Sequence, residues 1–178
     1  MNDFDRGIKK FKIIETQRQF IKEMLFNIGS ENCLIQSDED QWCVNQVLDH
    51  LIMTEKLGYQ YINNKRKSLQ TLKTAGFRSY ISRRILSFVL LLPFKYKAPN
   101  NVMPKPQADS LEQMFMDWDH QRNLLKELIY DLREDLDKQL FKHPLAGRMN
   151  LIQMLDFYES HIAHHLIQIK RIRKSLNA

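Results

Sequence analysis

The sequence predicts an all-α protein, an antiparallel four-helix bundle, on three observations. Apolar residues recur along four separate runs at the spacing of a helix with one buried face. The chain holds only 5 Gly and 5 Pro in 178 residues, fewer turn residues than a β-rich chain normally uses. No run alternates apolar and polar residues as a half-buried strand does, and no repeat or linker divides the chain, so 1–178 is expected to form a single domain.

The first helix is expected over about residues 4–28, where Phe4, Phe11, Ile14, Ile21, Leu25 and Ile28 share one face and Gly29 supplies the stop. A second is expected to begin at Ser37, a capping hydroxyl followed by Asp38, Glu39 and Asp40 at the positive end, and to reach Asn64. "RSYISRRILSFVLLLPF" suggests an extra short helix over 78–92. Pro93, Pro99, Pro104 and Pro106 then impose a long extended connection, because proline has no N–H to donate and biases its predecessor toward extended backbone. Ser110 with Gln113 forms a capping-box pattern ahead of Leu111, Phe115, Trp118, Leu125, Ile129 and Leu132, a third long helix expected to end near Leu140. "FKHPLAGRMN" is a turn, and Asn150 with Gln153 caps the last helix. Such faces are buried most simply by packing against one another.

Composition narrows the function. Cys33 and Cys43 form no CxxC pair, and "MNDFDRGIKKFKIIE" is charged throughout, unlike a signal peptide, so a reducing cytoplasm is the expected compartment. The apolar run "ILSFVLLLPF" is roughly half as long as a membrane span requires. The net charge is +6, and between Lys65 and Lys105 the sequence has ten basic residues and no acidic one. That stretch reads as a solvated basic face or as an anion site, with Arg83 and Arg84 the candidate anion-binding residues. It carries no nucleic-acid fold motif, and Phe77, Tyr80 and Phe88 can be spent on a core, so no nucleic-acid partner is expected.

"YESHIAHHLIQIKRI" places His161, His164 and His165 within five positions. With about 100° per residue and His161 at zero, Leu151, Leu155, Tyr158, Ile162 and Ile169 fall between roughly 60° and 120° and mark the core arc. His165 lies inside that arc at about 40°, His161 stands at its edge, and His164 points away near 300°. Gln168, near 340°, sits beside His161, where it could hydrogen-bond a ligand or a group behind it. On the second helix His50 stands at the edge of the arc defined by Val47 and Leu51. Histidines one turn apart can share a metal, and a third from another helix makes a three-nitrogen set with positions left for water or substrate. The same pattern also fits histidines hydrogen-bonded within a core, and periodicity leaves the two readings open.

"WCVNQVLDHLIMTEK" (42–56) together with "HPLAGRMNLIQMLDFYESHIAHHLIQI" (143–169) resembles the DinB-like superfamily of metal-binding four-helix proteins. The resemblance implies His50, His161 and His165 as ligands of a divalent metal. The turn "HPLAG", Gln168 three residues after the last ligand, and "FKYKAPNNVMPKP" before "SLEQMFMDWDHQR" are similar to the family pattern. Leu166 and Ile167 stand where many members carry Arg-Gly, so no arginine role is carried over there.

What the resemblance implies about activity is broad: thiol S-transferases, a thiol-dependent isomerase and proteins described as metal-dependent hydrolases share the superfamily. The leading expectation is a cytoplasmic enzyme with a small-molecule substrate, transferring a low-molecular-weight thiol to an electrophile ahead of simple hydrolysis. Zinc or nickel leads as the metal, with iron or manganese behind. Glu55 faces about 140° from His50, so no general base is nominated, and Cys43 reads as a small core residue. The competing expectations are a non-catalytic metal- or ligand-binding bundle, stress-related and homodimeric, and a peripheral membrane protein using 78–97.

Overall fold

The computed structural model describes residues 1–36, 41–75, 102–104, 110–143 and 147–176. Four long helices, α1 (Asp3–Ile28), α2 (Val44–Lys65), α3 (Leu111–Asp131) and α4 (Leu151–Leu176), form the expected all-α bundle. Their inward faces meet in one core that includes Ile14, Ile21, Leu25, Leu48, Leu51, Trp118, Leu128 and Tyr158.

Contacts between helices give the topology. Lys10 pairs with Asp156 and Glu159 while Lys170 lies over the Phe20 ring, so α1 and α4 run parallel. Glu55 pairs with Arg122 and Arg66 with Asp131, so α2 and α3 run parallel as well. The antiparallel seams are α1 with α3, where Phe4 meets Tyr130 and Lys22 meets Asp119, and α2 with α4, where Gly58 meets Tyr158 and His50 meets His165. α3 therefore starts at the end of the bundle where α2 starts.

Local chemistry accounts for most boundaries. The Asn2 side chain accepts from the Asp5 N–H at the start of α1, and Gly29, at φ 83°, ends it in a conformation that suits glycine. Ser110 Oγ accepts from Gln113 N–H at 3.2 Å. At the start of α4, Gln153 Oε1 accepts from Asn150 N–H while Asn150 Oδ1 accepts from Gln153 N–H, the reciprocal capping expected there.

Three expectations are corrected. α2 begins at Val44 and not at Ser37, because Gln46 Oε1 accepts from the Cys43 N–H at 3.0 Å and caps the helix later in the chain. α3 ends at Asp131 and not near Leu140. Beyond it, Gln139 N–H donates to Lys73 and Ala75 N–H donates to Asp137, and these pairings use backbone groups that a longer helix would need. Leu132, Leu136 and Leu140 are buried all the same, so their helix-like spacing serves a series of turns. "FKHPLAGRMN" is a short hairpin: β1 (Phe141–His143) pairs antiparallel with β2 (Gly147–Met149), Phe141 opposite Met149 and His143 opposite Gly147. The helix expected over 78–92, the connection around Pro93, Pro99 and Pro106, and Ser37–Asp40 lie outside the described residues. Among the described residues no helix is long and apolar enough to cross a membrane.

Candidate metal centre

α2 and α4 cross so that three imidazoles meet between them. Among the described residues, His50, His161 and His165 form the cluster competent to hold a metal, one nitrogen of each lying within 4.8 Å of the others. His161 Nε2 is 3.1 Å from His50 Nε2 and 3.1 Å from His165 Nε2. The three residues are 5%, 8% and 6% exposed respectively, so the nitrogens converge in a nearly dry space.

The outer nitrogens decide what those inner nitrogens are. His50 donates from Nδ1 to the carbonyl oxygen of Val102 at 2.7 Å, and His165 donates from Nδ1 to Gln168 Oε1 at 2.8 Å. A neutral imidazole carries one proton, so both rings turn an Nε2 lone pair toward His161. His161 Nε2 can donate to one of them at most. At least one lone pair therefore faces the centre without a proton, an arrangement that a cation completes.

Electrostatics keep the set neutral. Burial pushes His50 below the usual imidazole range, against the pull of the Val102 carbonyl. Burial and then the neighbouring His165 and His50 push His161 well below it. His165 is pushed down to about 3, mainly by burial and by His50. Neutral imidazole is the form that binds metal, so protons compete weakly here.

These shifts fix a stability trend. In the metal-free protein the unfolded chain binds protons near pH 6.5, before the folded chain does, so stability falls as pH drops through that value. Between pH 7 and 5, His165 alone is expected to contribute a loss on the order of 2 kcal/mol, read as a lower urea midpoint. A midpoint independent of pH over that interval would show that the histidines titrate freely.

Aromatic rings enclose the cluster. Trp42 lies 5.2 Å from the His50 ring, and Phe157 stacks on His161 at 5.2 Å. His143, on β1, stands edge-on to Phe157 at 4.7 Å, and its burial pushes it down to about 4. His164 is half-buried beside His165 at 5.0 Å and outside the converging set, as its helical angle predicts. Gln168 meets His165 rather than His161. Phe157 is one turn before His161 and could have been found by spacing. Trp42 and Val102 lie off the long helices and gave no periodic signal. Cys43 is buried at the start of α2, and Glu55 is engaged by Arg122 on another seam. Arg83 and Arg84 lie outside the described residues.

A family model described as the DinB superfamily matches residues 13–169, a span containing all three histidines and Gln168. The chain belongs to the DinB superfamily. Another protein similar to it, "Uncharacterized protein YuaE" of Bacillus subtilis (strain 168), is 26% identical over 152 residues, covering 85% of this chain and 90% of that one. No solved structure matches the chain. Membership of the DinB superfamily and the three-histidine cluster together fit a metal-binding helical protein.

Proposed function

We propose that this protein is a divalent-metal-dependent enzyme in which His50, His161 and His165 hold the ion, and that it transfers a low-molecular-weight thiol to an electrophile in preference to hydrolysing a small substrate. The observation that carries the reading is the convergence of three ring nitrogens within 4.8 Å of one another, with His161 Nε2 3.1 Å from the Nε2 of both His50 and His165 and two tautomers fixed from behind. A divalent ion bound by three neutral ligands keeps its full charge and lowers the pKa of a thiol or water bound to it. Zinc and nickel suit an all-imidazole set best, with iron and manganese behind.

The protein's own groups orient and enclose. Val102 and Gln168 hold two rings in the ligating tautomer, while Trp42 and Phe157 keep water from the ligands' flanks. The basic stretch 65–105, through Arg83 and Arg84, would anchor an anionic thiol. Unchanged thiol affinity after neutralising both arginines would remove them from that role. Buried, unpaired Cys33 and Cys43 support a reducing cytoplasm as the compartment.

The test is turnover of a generic aryl-halide electrophile by metal-loaded protein with a panel of thiols. Product formation that needs both metal and thiol supports transfer, and cleavage of activated esters without thiol supports hydrolysis. Tight metal binding with no turnover would favour a non-catalytic metal-binding bundle, a reading that the depth of the three histidines also suits.

Trp42 offers a direct readout of occupancy. Copper(II) added to metal-free protein is expected to quench fluorescence with a stoichiometric endpoint, because the indole lies beside His50. The quench should survive Trp118→Phe and vanish in Trp42→Phe and in His161→Ala. Persistence in His161→Ala would place the copper elsewhere.

A further inference from the structure

We propose that the contact between Gly58 and Tyr158 is a register pin that sets the spacing of the three histidines. The proposal rests on the metal reading above and assigns positioning roles to two residues outside the ligand set.

A Cβ built on Gly58 would lie 1.9 Å from Tyr158 Oη and 3.2 Å from Cζ, so α2 bears directly on the tip of the tyrosine. Tyr158 is 1% exposed, and its hydroxyl donates to the Glu55 carbonyl at 3.4 Å, one turn back along α2. The ring therefore meets bare backbone at one point and a backbone oxygen at the next.

The location gives this contact its meaning. Tyr158 precedes His161 by one turn and His165 by two, on nearly the same face, and Gly58 follows His50 by about two turns, roughly 12 Å along the axis. Because α2 and α4 are antiparallel, the pin and the histidines are successive levels of one seam. Packed helices resist local compression, so thickening the lower level by one methyl group must open or slide the upper one. The 3.1 Å nitrogen spacing has little room for such a change. Groups behind metal ligands typically govern affinity by about 10–100-fold, and a register change acts on the ligands in the same way.

Four proteins test it: wild type, Gly58→Ala, Tyr158→Phe and the double variant. The readouts are cobalt(II) affinity and the ring ¹⁵N spectra of the metal-free histidines, which report the Nδ1–H tautomers of His50 and His165. Gly58→Ala is expected to lose about tenfold or more in cobalt affinity and to perturb the ring spectra. Tyr158→Phe removes the tip that bears on α2 and its bond to the Glu55 carbonyl, so it should weaken cobalt binding as well, by less than Gly58→Ala because the rest of the ring still packs beside Gly58. The double variant removes the hydroxyl that the new methyl meets, and it should recover most of both signals. Wild-type cobalt affinity and spectra in Gly58→Ala, or a double variant no better than Gly58→Ala, would overturn the pin.

If Gly58→Ala does not fold, Tyr158→Leu decides, since it keeps the core apolar without reaching the α2 backbone. Weakened cobalt binding with intact helicity supports the pin, and unchanged binding overturns it. A wild type that takes up no cobalt would defeat the metal reading alone. The metal-free ring spectra of the same proteins would still decide the pin.

Discussion

Replacing His161 by alanine is expected to abolish stoichiometric metal in protein purified without a histidine tag, measured by mass spectrometry beside wild type. His161 Nε2 is the nitrogen that both others approach at 3.1 Å, so its loss leaves two ligands on different helices with nothing between them. The affinity loss should exceed the roughly 10–100-fold expected of Gln168→Leu, which removes only the group orienting His165. His164→Ala should retain wild-type metal content, because that ring lies outside the converging set. Helical content by circular dichroism should be unchanged in all three. Metal retained by His161→Ala would show that the histidines are core residues and that the ion sits elsewhere. No metal in wild type after reconstitution with zinc, nickel, cobalt and manganese would defeat the site itself.

Much of this centre is legible in the sequence because a helix converts spacing into direction. His161 and His165 fall on or beside an arc of leucines and isoleucines, His164 falls off it, and the structure buries the first two and leaves the third half-buried. The capping pairs at Ser110 and Asn150 are equally local and equally readable. What spacing cannot supply is the partner. Val102 lies 52 positions from His50 in the chain and outside the long helices, so nothing within α2 announces the group fixing its tautomer. The end of α3 fails for the same reason: Leu132, Leu136 and Leu140 continue a helical pattern, and only pairing with Lys73 and Ala75 turns them into another structure. Glu55 is the clearest case. Its helical angle excludes it from the histidine cluster correctly, but the arginine that engages it lies 67 positions away in the chain.

That pair carries the largest stability effect expected here. Arg122 Nη2 donates to Glu55 Oε1 at 2.7 Å, with the two side chains 2% and 4% exposed, between the parallel helices α2 and α3. Burial lifts the Glu55 carboxyl above its ordinary range while Arg122 opposes the lift. Arg122→Met leaves a buried carboxyl without its directly bonded cation, which typically costs about 3–5 kcal/mol, or a fall in Tm of roughly 6–20 °C for a chain of this size. The sign of the pH dependence is fixed by the same burial. A carboxyl whose folded pKa is raised takes up protons more readily when folded, so its penalty is absent below the unfolded value near 4.3 and grows as pH rises above it. The gap in urea midpoint between wild type and Arg122→Met should therefore be wide at pH 7 and narrow toward pH 4.5. Glu55→Met with Arg122→Met should restore stability to within about 1 kcal/mol of wild type or above it, because neither charge then needs a partner. A single variant costing less than about 1 kcal/mol, or a gap that does not change with pH, would mean that water reaches Glu55 and that α2 and α3 are held by their apolar faces alone.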